Sequence, residues 1–333
     1  MLKTDIITVA QIIFTLPVCF LITKLTIVLV KKTKFVNHPN PIVETHKVET
    51  AYGGGLAIAS TIIFFLIFQS INFQIANKFI FILLPVILIG LLDDIFKFSP
   101  FNKLLLQIIA GLPFLFFYIN SSIPLVLIFL FFIVLSQNAW NLIDIMDGLT
   151  AGISFIVFLS AGVILKPHIE LELYSSLSIA IAFSLLGFRF LNKSPAKIFL
   201  GETGSLLLGT LFAFIVVSTY LVNEITAYFL MLLGSIPFFE LIFLIIVRTI
   251  KRIPFYKGSP DHFALRMQNN GFSVKSINVR VILICTFHAF VIVFANLLAG
   301  NTLVLIICIC LSLISSTIAF FYFQSLPARE VIR

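Results

Sequence analysis

The stretch Leu135–Gly152, LSQNAWNLIDIMDGLTAG, interrupts two apolar runs with polar side chains. Four of these side chains are spaced three residues apart: Asn138, Asn141, Asp144 and Asp147. On a helix with 3.6 residues per turn, each such step rotates the side chain by only about 60°. The spacing therefore predicts one broad helix face, or a helix end and the turn after it. Gly148 suits a turn. The stretch is either a polar cap where a membrane helix meets water or an acidic site at the membrane surface.

The composition places the whole chain in a membrane. Of its 333 residues 60% are hydrophobic and only 11% are charged, and the mean hydropathy is +1.15. Soluble domains are about 25% charged, so a soluble enzyme is excluded. The first apolar run, 6–30, is too long for the core of a signal peptide and is predicted to be a membrane span. All four cysteines lie inside apolar runs, which indicates buried side chains and no disulfide frame.

Apolar runs long enough for a membrane helix recur along the chain, and no separate soluble domain stands out. Because a bilayer core needs ~20 residues per helix, we expect an all-α polytopic protein, with residues 1–333 forming one domain of about eleven spans. The predicted spans are about 6–30, 53–72, 75–92, 104–119, 123–140, 149–165, 172–190, 204–222, 226–247, 278–299 and 302–323.

The basic residues predict the orientation. Most of the 22 Lys and Arg fall in alternate loops, and such loops face the cytoplasm. The N-terminus is then outside and the C-terminus inside. The net charge of +8 mostly reflects this topology and gives no reason to expect a nucleic-acid partner. Most acids share the inner face, so we expect active-site loops there: about 31–52, 93–103, 138–148, 191–203 and 248–277.

Two acidic motifs at inner span ends favour a bound cation. Asp93 and Asp94 end the third span, where the helix carries partial negative charge and the two carboxylates repel each other. Mg²⁺, usually held by one or two carboxylates plus substrate phosphates, would relieve both problems. One of the pair could instead act as a general base, or the pair could lie in a solvated turn.

The second acidic motif, Gly201–Ser205, opens the eighth span, with Thr203 and Ser205 as candidate N-caps. Helix starts bind phosphate. Glu202 would repel that phosphate unless a cation bridges them, which predicts a metal ligand. The alternative is a plain capped helix start.

Three further groups are weaker candidates. His262 and Arg266, in the longest inner loop, offer side chains that can clamp a diphosphate. Lys47 precedes three glycines and could pair with a phosphate. Glu240 lies within a predicted span, and an intramembrane acid is a functional candidate, unless it only pairs within the bundle.

Taken together, the motifs resemble those of the polyprenyl-phosphate N-acetylhexosamine-1-phosphate transferase family. The matching patterns are LDD at 92–94, NxxNxxDxxDG at 138–148 and NxxPAxxFxGExGS at 192–205. The resemblance implies transfer of a sugar-1-phosphate from a UDP-N-acetylhexosamine to undecaprenyl phosphate, with release of UMP and with Mg²⁺ as cofactor. It also implies the bacterial cytoplasmic membrane, an active site facing the cytoplasm, and the first membrane step of a cell-envelope glycan. The number of spans is similar to that of the N-acetylglucosamine branch, and a homodimer is possible.

The resemblance suggests roles for individual residues. Asp93 and Asp94 are candidate catalytic residues, and Glu202 and Asp94 are candidate metal ligands. The candidate substrate-binding residues are Lys47, Asn138, Asn141, Asp144, Asp147, Asn192, His262 and Arg266.

The chain departs from the family pattern at two places. Glu202 stands where the family has Asp, which implies altered metal geometry or reduced activity. His262 and Arg266 are all that is left of a His-x-His-His-Arg cluster, which weakens the case for a muramoyl-pentapeptide transferase. Two rival functions stay open: a catalytically impaired lipid-binding relative, and a transporter or flippase. Transporters bind substrate near the bilayer midplane, whereas the acids of this chain collect at one surface.

Overall fold

The computed structural model describes residues 2–32, 36–37, 50–68, 73–117 and 122–328. These residues are nearly all α-helical, as predicted. The helices are α1 Leu2–Lys32, α2 Gly54–Phe68, α3 Phe73–Phe96, α4 Pro100–Phe117, α5 Ile123–Ile143, α6 Leu149–Leu165, α7 Glu172–Asn192, α8 Gly201–Tyr220, α9 Glu224–Leu233, α10 Ser235–Ile250, α11 Phe263–Asn269, α12 Val274–Leu298 and α13 Thr302–Ser325. A short 3₁₀ helix, Ile169–Leu171, precedes α7.

The helices make this chain a multi-pass membrane protein. Seven helices among the described residues are long and apolar enough to cross a membrane, and α9 with α10 adds an eighth if the pair counts as one span. The predicted span over 226–247 is not one straight helix, because α9 and α10 meet at an angle of 64°. Gly234 separates them, and Pro237, which has no N–H to donate, lies in the first turn of α10. The short helix α11 was not predicted.

Helix α8 lies at the centre, and nearly all of its side chains are buried. Glycines let its backbone approach the neighbouring helices closely. A Cβ at Gly55 of α2 would lie 2.2 Å from the amide nitrogen of Gly204. A Cβ at Gly90 of α3 would lie 2.4 Å from the Cα of Thr203. The start of α8 is therefore fixed against α2 and α3, next to the acidic end of α3.

Backbone pairing fixes the segment that leads into α8. Strand β1 (Val36–Asn37) pairs antiparallel with β2 (Thr50–Ala51), and Ala51 forms a parallel bridge with Ile198. The amides of Gly54 and Gly55 then donate to the carbonyls at 199 and 200, at 3.0 and 2.9 Å. The chain before α2 and the chain before α8 thus form one small layer at this end of the bundle.

Candidate active site

A cavity of about 820 Å³ lies where α3, α4, α5, α8 and α10 meet at one end of the bundle. It brings together most of the residues predicted from the sequence. Lys47 lies outside the described residues, and Arg266 does not line the cavity. The predicted residues that do line it are Asp93, Asp94, Asn138, Asn141, Asp144, Asp147, Asn192, Glu202 and His262.

The ammonium group of Lys103, on α4, lies at the centre of the acidic groups. It forms an ion pair with the carboxylate of Glu202. Its Nζ lies 3.3 Å from Oδ2 of Asp93 and donates to Oδ1 of Asn141 at 3.2 Å. The side-chain amide of Asn141 also donates to Oε2 of Glu202 at 2.6 Å. We call these four residues the cavity cluster. The sequence did not predict Lys103 as a site residue. The only feature that could have indicated it is its position shortly after the Asp93–Asp94 pair.

Asp94 has a different set of contacts from its neighbour Asp93. Its Oδ1 accepts a hydrogen bond from the amide of Glu202 at 2.9 Å. Its Oδ2 accepts from the amide and the hydroxyl of Thr203, at 3.1 and 2.8 Å. Amides in the first turn of a helix have no acceptor within the helix, so a carboxylate of α3 caps α8. The prediction that Thr203 or Ser205 is the N-cap is wrong, because α8 begins at Gly201, whose φ of +76° suits glycine.

The stretch 135–152 forms a helix end and the turn after it. Asn138 and Asn141 lie on α5, and Asp144 is the residue at its C-terminal cap. Asn138 donates to Oε1 of Gln107 on α4 at 2.9 Å. Of the two predicted arrangements, the structure has the helix end and turn, and the turn faces the cavity.

Two residues of the predicted site hold the cavity wall together. Oδ2 of Asp147 accepts from the amide of Ala196 at 3.0 Å. Oδ1 of Asn192 accepts from the amide of Gly148 at 3.0 Å, and its Nδ2 donates to the carbonyl of Ile198 at 2.9 Å. These bonds fasten the α5–α6 turn to the segment before α8.

Acidic residues outnumber basic ones in the lining of the cavity. Desolvation, together with the charges of Glu202, Asp94 and Asp147, raises the pKa of Asp144 to about 7, although Thr150 partly offsets the shift. Desolvation, and then the charges of Asp94, Glu202 and Asp144, raise the pKa of Tyr52 above its usual value. Such a field favours a cation or a shared proton.

Besides Lys103, two other basic groups line the same cavity. The ammonium of Lys97 lies 4.6 Å from the ring centroid of Tyr52. Arg248, on α10, donates to the hydroxyl of Ser259 at 3.0 Å and to the carbonyl of Phe255 at 2.8 Å. Lys97, Lys103 and Arg248 thus give the cavity positive charges as well, a combination that suits a phosphate group accompanied by a metal ion.

Glu240, the acid predicted inside a span, pairs with His262. Its Oε1 lies 2.8 Å from Nδ1 of His262, and it is almost fully buried. Because His262 also lines the cavity, the buried carboxylate fixes the orientation of an imidazole that faces the candidate site.

Arg266 points away from the cavity, into contacts that hold the fold. Its Nη2 donates to Oδ1 of Asp261 at 2.8 Å, and its Nη1 donates to the carbonyl of Leu326 at 2.7 Å. Lys251 donates to the same carboxylate oxygen at 2.5 Å. We call Lys251, Asp261 and Arg266 the loop cluster. It joins the loop after α10 to the C-terminal end of α13.

The donor atoms of the cavity cluster fit magnesium. Among the described residues, no three acidic, imidazole or thiol side chains form a metal-binding group. Oxygens of Asp93, Glu202 and Asn141 nevertheless meet at one cationic atom, Nζ of Lys103. Mg²⁺ prefers oxygen ligands, often takes only one or two carboxylates, and completes its shell with water and phosphates.

One wall of the cavity is apolar. It is formed by α4, α5 and α10, and three of its side chains, Leu104, Phe131 and Ile245, are exposed on the surface of the bundle. The polar end of the cavity is therefore continuous with an apolar surface suited to hydrocarbon. This wall comprises Leu104, Phe131, Val134, Leu135, Leu142, Leu241 and Ile245.

Comparison with known proteins identifies the family. The sequence profile of glycosyl transferase family 4 matches residues 76–220. An undecaprenyl-phosphate alpha-N-acetylglucosaminyl 1-phosphate transferase of Thermotoga maritima is 30% identical over 258 residues, covering 73% of this chain and 76% of that protein. The chain belongs to glycosyl transferase family 4. The match to the family profile covers most of α3 and all of α4, α5 and α8, the helices that carry the four residues of the cavity cluster.

Two other relatives represent two activities within family 4. A phospho-N-acetylmuramoyl-pentapeptide-transferase of Streptococcus sanguinis is 32% identical, over 56% of this chain and 64% of that protein. A probable undecaprenyl-phosphate N-acetylglucosaminyl 1-phosphate transferase of Bacillus subtilis is also 32% identical, over 56% of this chain and 57% of that protein. The chain therefore matches less than two thirds of the length of each of these two relatives.

Proposed function

We propose that this family 4 member transfers N-acetylglucosamine-1-phosphate from its UDP-sugar to undecaprenyl phosphate and releases UMP. The observation that carries the proposal is one cavity that joins a charged end to an apolar wall. The charged end suits a diphosphate and a cation, and the apolar wall suits an isoprenoid chain. The name of the Thermotoga maritima relative supports this choice of sugar and lipid.

The reaction is a single phosphoryl transfer. An oxygen of the lipid phosphate attacks the β-phosphorus of the UDP-sugar, and the bond from that phosphorus to the oxygen bridging to the α-phosphate breaks. UMP leaves, and the lipid carries a diphosphate-linked sugar. Such a reaction needs mainly positioning and charge neutralisation. Asp93, a candidate base from the sequence, would instead serve the metal, because its Oδ1 already accepts from the amide of Phe98 and its Oδ2 is the oxygen that reaches into the site. The lipid phosphate would attack as its dianion, so no protein base is required.

Magnesium completes the proposed site. Glu202 and Asp93 would hold it, and Asn141 would add an amide oxygen. The ion would neutralise charge on the diphosphate. Asp94 takes a positioning role in place of the metal-binding role expected from the sequence, because both of its oxygens already accept hydrogen bonds from the start of α8. It thereby holds Glu202 in place.

The remaining cavity groups are assigned to the substrates. Asn138, Asp144 and Asp147 would contact the nucleotide-sugar, and Lys97 and His262 would contact phosphates. Asn192 would shape the wall through its two backbone contacts. Arg266 is left out, because its guanidinium is occupied by the loop cluster.

The proposal includes the topology. Eleven spans, with α9 and α10 counted as one, put the N-terminus outside and the cavity at the cytoplasmic face of a bacterial inner membrane. Cysteines introduced singly at Lys257 and Lys166 test this orientation with a membrane-impermeant thiol reagent. We expect the cysteine at 166 to react from outside and the one at 257 to react only after the membrane is opened. The reverse labelling would contradict the topology. A homodimer stays a prediction.

The Streptococcus sanguinis relative supports a second candidate, transfer of phospho-N-acetylmuramoyl-pentapeptide. The presence of His262 without further histidines up to Arg266 argues against it, since the resemblance associates that activity with the fuller histidine cluster. Donor choice separates the two candidates, and a transporter would release no UMP from either donor.

The test is UMP release by the purified full chain. The assay supplies UDP-N-acetylglucosamine or UDP-N-acetylmuramoyl-pentapeptide, with and without undecaprenyl phosphate and Mg²⁺. We expect UMP only with the first donor, and only when both lipid and Mg²⁺ are present. Folded protein that releases no UMP from UDP-N-acetylglucosamine would overturn the proposal. Release from the pentapeptide donor alone would establish the second candidate.

A further inference from the structure

Lys103 lies where a metal ion would lie in the proposed site. Three oxygens from three different helices converge on its ammonium: those of Asp93 on α3, Asn141 on α5 and Glu202 on α8. The Lys103 side chain is only 15% exposed, so water screens these contacts weakly. Its single positive charge offsets part of the repulsion between the two carboxylates.

A divalent cation cannot join the same oxygens while the ammonium remains there. Both species are positive and need the same lone pairs, and their repulsion is strong in a half-buried site. The lysine stem has four flexible methylenes, so the ammonium can swing out without any movement of α4. Because Lys103 itself lines the cavity, a displaced ammonium would remain there, next to the space proposed for the diphosphate.

We propose that Lys103 is an internal counterion that competes with the divalent cation for Asp93 and Glu202, and that cation binding releases its ammonium toward the substrate phosphates. The proposal rests on the proposed function for the identity of those phosphates. The competition itself involves only this chain and a metal ion. It makes Lys103 a positioning residue that links metal binding to phosphate binding.

The length of the Glu202 side chain strengthens the contact between its carboxylate and the ammonium of Lys103. Its carboxylate reaches one methylene further than an aspartate would, and it contacts both Lys103 and Asn141. Shortening it by Glu202→Asp should weaken the contact with Lys103 while keeping a carboxylate for the metal. The competition should then be weaker, and Lys103→Met should change metal affinity less in the Glu202→Asp background than in the natural chain.

The chain offers a matched control. Lys97 lines the same cavity and carries the same charge, but its ammonium contacts Tyr52. Lys97→Met therefore removes one positive charge from the cavity and leaves the contacts of Asp93 and Glu202 intact. A general change in electrostatic potential would act similarly in both variants. A competition for ligand atoms would act only in Lys103→Met.

The experiment measures Mn²⁺ binding to the purified full chain without substrates, by the loss of the free-ion electron paramagnetic resonance signal. We expect Lys103→Met to bind Mn²⁺ about tenfold more tightly than the natural chain, as expected from the loss of one charge-assisted contact. Lys97→Met should stay within about twofold, since less than 0.5 kcal/mol is involved. Equal tightening in both variants, no tightening in Lys103→Met, or no Mn²⁺ binding by any form would overturn the proposal.

A second measurement uses the natural chain and is independent of how the variants fold. An amine-reactive acyl reagent is applied with and without saturating Mg²⁺, and acylation of each lysine is read by mass spectrometry. We expect Mg²⁺ to increase the acylation of Lys103 several-fold relative to Lys97, because its ammonium loses its ion pairs. Unchanged or lower relative acylation of Lys103 would contradict the competition. UMP release by the natural chain is measured separately, so a failure of the competition is distinguishable from a failure of the proposed function.

Discussion

Two groups of charged residues at one end of the bundle look alike in the sequence and differ in the structure. In the cavity cluster, the carboxylates of Asp93 and Glu202 each contact the ammonium of Lys103, and all three residues line the cavity. In the loop cluster, Arg266 is buried against Asp261 and the carbonyls at the end of α13. A charge at this end of the bundle therefore does not by itself indicate a substrate contact. What matters is whether the backbone already uses the polar atoms.

Asp93 and Asp94 show the same difference between adjacent residues. Asp93 uses Oδ1 to accept from the amide of Phe98 at 2.8 Å and directs Oδ2 toward Lys103. Asp94 uses both oxygens at the start of α8. The same residue type at the same helix end thus contacts a lysine in the cavity in one case and caps a helix in the other.

The largest expected effect separates this adjacent pair. Asp93→Asn should lower the rate of UMP release by roughly 10²–10³-fold, since it removes a charge at the reacting groups, and should leave the thermal-unfolding midpoint nearly unchanged. Asp94→Asn should lower that midpoint by several degrees, because an amide nitrogen replaces one acceptor at the α8 cap. Steady-state kinetics and thermal unfolding in detergent measure both. A reversal of the two outcomes would contradict the different roles of Asp93 and Asp94.

The loop cluster should stabilise the fold without contacting the substrate. Arg266→Gln should destabilise the protein by roughly 3 kcal/mol, because it removes one partner of a buried ion pair. The KM for the UDP-sugar should stay within about twofold, a difference below 0.5 kcal/mol. The control is Lys257→Gln, an equal charge change at an exposed position of the same loop. It should change neither the stability nor the KM. A large rise in KM with unchanged stability would place Arg266 at the substrate instead.

Glu240 belongs to neither cluster: it is buried like the loop cluster, but it contacts His262, which lines the cavity. Glu240→Gln should lower kcat roughly tenfold, the lower end of the effects seen when a partner that orients a functional group is removed, while the unfolding midpoint changes little. The same substitution in a His262→Ala background should add almost nothing, since the two act through one contact. Fully additive losses would show that Glu240 acts independently of His262.

The last expected effect is a pH dependence of stability. The pKa of Asp144 is raised to about 7, and an aspartate in the unfolded chain has a pKa of about 3.9. Between these values the folded protein holds a proton that the unfolded chain releases. Stability should therefore fall as the pH rises from about 4 to about 7, by at most about 1.4 kcal/mol per pH unit. Asp144→Asn should flatten the pH dependence of the unfolding midpoint, and an unchanged slope would contradict this assignment.

The sequence predicted most of the helices, and it predicted the motif residues that line the cavity, for simple physical reasons. Long apolar runs must be helices in a membrane, and polar motifs at span ends on one side of the membrane can meet. The bend at Gly234 was missed, because the apolar run continues through it.

What the sequence could not predict are pairings between distant residues. Lys103 contacts Glu202 across 99 positions, and Asp94 caps α8 across 108. Neither pairing leaves a local spacing pattern. The contacts of Arg266 were missed for the same reason, since the carbonyls that accept its hydrogen bonds lie about 60 positions further along the chain.

The most direct test of the central claim follows the β-phosphorus. Purified protein is given undecaprenyl phosphate, Mg²⁺ and UDP-N-acetylglucosamine carrying ³²P in the β-phosphate, and the lipid and nucleotide products are separated. We expect all of the transferred label in the lipid and unlabelled UMP in the nucleotide fraction, because the bond on the α-phosphate side of the β-phosphorus breaks. Labelled UDP would show glycosyl transfer at the sugar carbon, and labelled inorganic phosphate or sugar phosphate in water would show hydrolysis. Either result would contradict the account.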